Sequence, residues 1–291
     1  MLEPAIVVVR LLQYTGAVVL FGSSLFFLYA APGFWPRRLL AGAAALLALS
    51  SLLAIGAQAS LFAGSLAAGL TGEALGAVVS SMDFGKAAVV RAVAAAAALL
   101  LLLAPEARFT RPGVIGLAAV ATASLAWLGH GAASESLLQL TADIVHALAA
   151  AIWLGALAAF VVLLRWRPEL AMLHAALCRF SQIGVPLVAL LVLTGLANTW
   201  FLVGPDAIAG LATTPYGRVL LAKLGLFAGM LLLAARNRNR HAPAIEADLA
   251  ASSPNSANLA RLRHSVVTEA TLGLGVLAAV AWLGTLPPPA P

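Results

Sequence analysis

Apolar residues fall in eight long stretches along this chain, at about 4–30, 39–63, 87–104, 112–130, 139–164, 180–203, 216–235 and 265–286, each bounded by proline, glycine or charge. A helix that crosses a bilayer needs about 20 mostly apolar residues, so every stretch is long enough to span. Backbone groups inside lipid must satisfy one another, and none of the stretches alternates as a barrel strand does, so each is read as a helix. The pattern predicts an all-α, polytopic membrane protein, a bundle of eight transmembrane helices. A single integral-membrane domain over residues 1–291 is expected, with helices one to three in 1–110 and helices four to eight in 111–291.

Composition agrees with that reading. Of 291 residues 62% are apolar and 10% charged, with a mean hydropathy of +1.00, whereas soluble domains run near half apolar and a quarter charged. Seventeen Lys and Arg against eleven Asp and Glu give a net charge of +6. Basic residues of that number collect in the cytoplasmic loops of membrane proteins, so nucleic acid is not an expected partner. The one cysteine, Cys178, permits no intrachain disulfide. No basic run precedes the first apolar stretch, and helix one is expected to be retained rather than cleaved as a signal peptide.

Twelve of the seventeen basic residues lie in the loops after helices one, three, five and seven, among them Arg37, Arg108, Arg165 and Arg236. The other five, Arg10, Lys86, Arg91, Arg218 and Lys223, lie in or near helix ends on the opposite side. This asymmetry places the odd loops in the cytoplasm and both termini outside, which in a bacterial cell is the periplasm. The external segment 64–86 reads as a Gly/Ser-rich loop, and the cytoplasmic segment 236–264 as partly disordered. Gly225 and Gly229 form a GxxxG pair that predicts close helix packing on helix seven.

The chain has no phosphate-binding GxxxxGK[ST] loop, no HExxH and no GxSxG, so an enzyme is not expected. Attention falls on polar side chains placed where hydrocarbon makes them costly. His130 ends helix four and His146 lies early in helix five, so both sit toward the external side on antiparallel neighbours. Asp143, His146, Ala150 and Trp153 share one helical face. Two imidazoles with a supporting carboxylate are the start of a metal site; interhelical hydrogen bonding within the bundle explains the same residues. Met82, and Met1 if external, offer soft thioethers beside this end, and imidazole with thioether suits copper; a gap-filling Met is the alternative.

On the cytoplasmic side His174 and Cys178 are i, i+4 neighbours beside Met172, either a soft-metal exit site or an incidental pair. Arg91 and Lys223 are expected to snorkel outward. Glu269, about two turns inside helix eight, needs a partner or neutralisation. Gln13, Gln58, Asn198 and Thr199 read as polar bridges between helices.

In their order and spacing the segments Gly129-His130, 143–155 (DIVHALAAAIWLG), Arg179-Phe180-Ser181, Leu193-Thr194-Gly195 with Asn198, 216–223 (YGRVLLAK), Asn237-Arg238, Glu269-Ala270 and Leu286-Pro287-Pro288 resemble the CopD/PcoD copper-resistance family of bacterial inner-membrane proteins. The resemblance is strongest over about 125–290, so 111–291 is the CopD-like part. It implies an eight-helix inner-membrane protein that moves copper, as Cu(I) or Cu(II), from periplasm to cytoplasm in copper homeostasis. It also implies a periplasmic copper-binding partner of the CopC type; some members carry that domain fused, and here a separate partner is expected. On this reading His130, His146 and Met82 bind the metal, Asp143, Trp153 and Glu269 support the site, and His174 with Cys178 marks a cytoplasmic exit. Two other readings remain: a membrane cytochrome with the two histidines as axial ligands of one haem b, and a non-transporting copper-delivery or assembly factor.

Overall fold

The computed structural model describes residues 2–128, 136–166, 169–251 and 255–289. Eight helices are long and apolar enough to cross a membrane: α1 (Pro4–Tyr29), α2 (Arg37–Phe62), α3 (Asp83–Leu103), α4 (Thr110–Leu128), α5 (Leu137–Arg165), α6 (Leu170–Leu202), α7 (Pro215–Ala250) and α8 (Ser256–Leu283). No strand occurs among the described residues. All eight apolar stretches of the sequence therefore become helices. We call the end of the bundle where α1 begins and α8 finishes the near end, and the opposite one the far end.

Local chemistry sets the helix starts. Ser136 accepts from Gln139 N at 3.4 Å to open α5, Thr214 accepts from Gly217 N at 3.0 Å ahead of Pro215 in α7, and the Asn255 side chain accepts from Ala257 N at 2.9 Å in α8. Each side chain satisfies one of the backbone donors a helix start leaves open. At the far end Arg37 donates to the carbonyls of Leu102 and Ala104 where α3 ends, placing a cation on exposed helix carbonyls.

Two segments differ from expectation. Residues 64–86 are not an open loop: Ser65 and Thr71 cap two short helices, Leu66–Gly69 and Gly72–Ser81. The segment after α7's apolar stretch continues as helix to Ala250: a π-helical turn over Asn237–His241 leads into an α-helical piece, Ala242–Ala250, whose Ala, Leu and Glu are good helix formers and in whose first turn the missing N–H of Pro243 is harmless. Ile245, fully buried against the far-end cluster of Phe160, Leu173 and Leu262, anchors it.

Helix α5 is central. Buried residues fill 56% of its most apolar window, against 17% in α6 and 11% in α7, so α6 and α7 form the lipid-facing side of the bundle. The main core cluster takes residues from all eight helices, including Ala17, Leu47, Ala95, Val114, Trp153, Leu187, Met230 and Leu277. The closest approach is between α1 and α5: a Cβ on Gly22 would run into the Ala151 carbonyl, and one on Gly155 into the backbone at Gly22. Here α1 widens into a π-helical turn, Val18–Ser23, and Ser23 donates to the Gly155 carbonyl at 2.8 Å. The GxxxG pair does not play this part, since a Cβ on Gly225 would meet nothing within 4 Å and one on Gly229 only the tip of Leu272.

Candidate functional site

Two internal cavities lie along α5, one above the other. The first, of about 240 Å³, lies toward the near end and is lined by Tyr14 of α1, Asp143 and His146 of α5, Asn198 of α6, and Tyr216 and Lys223 of α7. Helical spacing explains the grouping, since Asp143 and His146 are three residues apart on one face of α5 and face the last turns of α6 and the first turns of α7.

The imidazole of His146 is oriented by its contact with Thr194. Thr194 donates its single hydroxyl proton to the Leu190 carbonyl at 2.7 Å, so its oxygen accepts from His146 Nδ1–H at 2.9 Å. A neutral imidazole with its proton on Nδ1 keeps a free lone pair on Nε2, the state a metal ligand requires. Gly195 packs beside the ring edge, where a Cβ would make ordinary van der Waals contact with His146 Cε1 at 3.6 Å. Across the cavity Asn198 Oδ1 is buried with no partner among the described residues. Lys223 faces the cavity interior rather than snorkelling outward, and its ammonium balances the Asp143 carboxylate without closing to 4.0 Å.

Arg91 departs from expectation in the same way. Its side chain is fully buried, donating from Nε to Ser124 Oγ at 3.1 Å and from Nη2 to the Ser124 carbonyl at 2.7 Å. The cause is local: α4 tightens into a 3₁₀ turn over Ser124–Leu128, which turns that carbonyl toward α3 and gives the guanidinium a better partner than the interface.

The second cavity, of about 510 Å³, lies toward the far end and is lined by Trp153, Phe160, Phe180, Asn237, Arg238 and Glu269, among others. Glu269 is 1% exposed. It accepts from Trp153 Nε1 at 3.3 Å on Oε1 and from Asn237 Nδ2 at 2.9 Å on Oε2. Leu154, Met230 and Gly273 pack together between the two cavities, with Leu154 bordering the first.

Of the residues singled out from the sequence, Asp143 and His146 share the first cavity, while Trp153 and Glu269 share the second. Met82 joins the short helix Gly72–Ser81 to α3 and packs with Ile55, Val78 and Ala88, lining neither cavity. His174 and Cys178 are neighbours on α6, with Sγ 3.5 Å from Nε2 and Glu246 Oε2 at 4.0 Å from the same nitrogen. His130 and Met1 lie outside the described residues. Among the described residues no three His, Cys, Asp or Glu side chains gather as a metal site. Gln13 bridges α1 to α2 as expected, donating to the Ser50 carbonyl at 3.4 Å and to Ser51 Oγ at 3.5 Å. Sequence reasoning placed Thr194 and Asn237 in segments that carry the family resemblance but gave neither a side-chain partner, since spacing along one helix does not show which neighbouring helix a side chain meets.

Residues 1–140 match the family described as copper resistance protein D-like, N-terminal domain, and residues 174–283 match copper resistance protein D. The chain is 35% identical to copper resistance protein D of Pseudomonas syringae pv. tomato, over 98% of this chain and 97% of that protein. It is 36% identical to copper transport protein CutJ of Bacillus subtilis (strain 168), over 38% of this chain and 21% of that protein. No solved structure matches it.

Proposed function

The chain belongs to the copper resistance protein D family, and from that premise we propose that it carries copper across the bacterial inner membrane, from periplasm to cytoplasm. The observation that supports this reading is the His146 imidazole, held by Thr194 in the tautomer that leaves Nε2 free on the wall of a cavity toward the near end. On this reading the near end is periplasmic, which the distribution of basic residues supports.

Copper is the cargo and His146 its first contact. His130 supplies the second imidazole, Asp143 keeps the entrance attractive to a cation, and a periplasmic copper-binding protein of the CopC type delivers the ion. A site of one or two nitrogens and neutral oxygens captures a borderline or soft cation without holding it permanently, the compromise that passage demands. Met82, packed away from the cavity, is left out of the ligand set. His174 and Cys178 offer a soft pair near the far end, where copper leaves.

Copper uptake into proteoliposomes tests the proposal. Wild-type protein is expected to load the vesicles, while His146→Ala and His130→Ala reduce uptake at least tenfold with the bundle still folded. Uptake unchanged in both variants overturns the entry site, and a Soret band lost in the double variant assigns the histidines to haem instead.

A further inference from the structure

We propose that the cavity between α6 and α7 is a lipid site, holding one acyl chain of an anionic phospholipid whose phosphate lies on Arg238.

The membrane-spanning parts of α6 and α7 are the least buried of the bundle, and they scarcely touch one another: α6 packs on α5 and α7 on α8. The second cavity, of about 510 Å³, lies between them, a volume within the roughly 300–1,000 Å³ of ligand pockets. Its inner wall is Trp153 and Leu157 of α5, 3% and 2% exposed, with Glu269 of α8 beside them. Val185 of α6 and Ala235 of α7 form its outer side, and both are exposed. The space therefore reaches the lipid-facing surface of the bundle.

The walls favour hydrocarbon. Apart from the far-end rim they are mostly apolar, with Leu177, Phe180 and Val188 of α6 facing Leu231 and Ala234 of α7, and such walls offer water few partners. Glu269, the carboxylate among the lining residues, has both oxygens engaged, by Trp153 Nε1 at 3.3 Å and Asn237 Nδ2 at 2.9 Å. It is part of the wall, not a ligand. Midway along α6 a Cβ on Gly184 would meet nothing within 4 Å, so that helix leaves the space open.

The far-end rim is basic. Arg238 and Asn239 line it from the π-helical turn Asn237–His241, with Arg236 and Arg240 on the same stretch of α7. Among the described residues no carboxylate lies within 4.0 Å of these three arginines. The acidic residues that follow are engaged elsewhere, Glu246 beside His174 at 4.0 Å and Asp248 accepting from Asn258 Nδ2 at 3.1 Å. A guanidinium pairs with a phosphate through parallel N–H bonds, and basic pockets between transmembrane helices receive anionic headgroups. Apolar walls reached from the lipid side, with a cation at one rim, describe a phospholipid. A soluble phosphate ester leaves the apolar length of the cavity uncovered.

The site depends neither on copper nor on which way the bundle faces, so its test leaves both out. Phosphatidylglycerol carrying a diazirine on one acyl chain is placed in nanodiscs with the purified full-length protein and photolysed, and the adducts are located by mass spectrometry. Adducts are expected on Trp153 or Leu157, which the surrounding lipid does not reach, and are expected to disappear in Gly184→Phe, whose ring fills the space. Labelling of these two residues should fall about fivefold in Arg238→Gln, the scale of one basic residue's attraction for an anionic headgroup. Phosphatidylcholine with the same label should reach them more weakly, and excess glycerol 3-phosphate should not protect them. Adducts confined to outward residues such as Leu193 and Leu232, or persisting on Trp153 in Gly184→Phe, overturn the site. Equal labelling by phosphatidylcholine overturns the anionic headgroup, and protection by glycerol 3-phosphate overturns the lipid in favour of a soluble phosphate ester.

Discussion

Thr194 accepts the Nδ1 proton of His146 at 2.9 Å because its own hydroxyl proton is committed to the Leu190 carbonyl, and this contact between α6 and α5 favours the imidazole orientation that leaves Nε2 to the cavity. Thr194→Val keeps the shape and removes the acceptor. Copper affinity, measured by competition with a Cu(I) chelator, is expected to fall about 10- to 100-fold, the usual scale for losing the partner that orients a ligating histidine. Thr194→Ser keeps the hydroxyl and should retain affinity. Unchanged affinity in Thr194→Val removes His146 from the ligand set.

The bundle was legible from the sequence because lipid allows few solutions: a long apolar stretch has to be a helix, and eight stretches give eight helices. Which faces meet was not legible. Ala-rich faces recur on most helices, so the tight approach at Gly22 and Gly155 has no stronger sequence signal than the unused pair Gly225 and Gly229. The shared face of Asp143 and His146 follows from spacing on one helix. The separation of Trp153 from them depends on where α7 and α8 pack, and Trp153 turns to Glu269 of α8 at 3.3 Å. Periodicity places residues on a face, while depth and partner come from the neighbouring helices.

Arg91 should act as a structural staple between α3 and α4. Arg91→Met removes two charge-assisted hydrogen bonds to Ser124 and is expected to lower stability by about 1.5–3 kcal/mol. Ser124→Ala removes only the Oγ partner and should cost less. Lys86→Met, at an exposed i, i+3 pair with Asp83, should leave the unfolding midpoint in mixed detergent micelles unchanged. Equal midpoints for Arg91→Met and Lys86→Met contradict the assignment.

Two glycine substitutions should shift stability in opposite directions. Gly22→Ala forces a methyl against the Ala151 carbonyl, backbone that cannot step aside, and is expected to destabilise by about 1–3 kcal/mol. Gly225→Ala meets open space within α7 and gains up to about 1 kcal/mol of helix propensity. Thermal unfolding of the two variants side by side checks the pair, and a destabilised Gly225→Ala reveals a partner helix on that face of α7.

The direction of the cavities across the membrane rests on the distribution of basic residues, and it can be read by labelling. Asp206 follows the last turn of α6 and Cys178 lies near its first turns, so at 1.5 Å per residue the two positions are about 40 Å apart along the helix and emerge on opposite sides. An impermeant maleimide added to intact cells is expected to label Asp206→Cys in a Cys178→Ser background and to leave native Cys178 unmodified until the membrane is opened. That result puts the His146 cavity on the outside, as the proposed entrance requires, and the Glu269 cavity toward the cytoplasm. Labelling of Cys178 alone turns the bundle over: His146 then opens to the cytoplasm, and the same geometry describes an exit rather than an entrance.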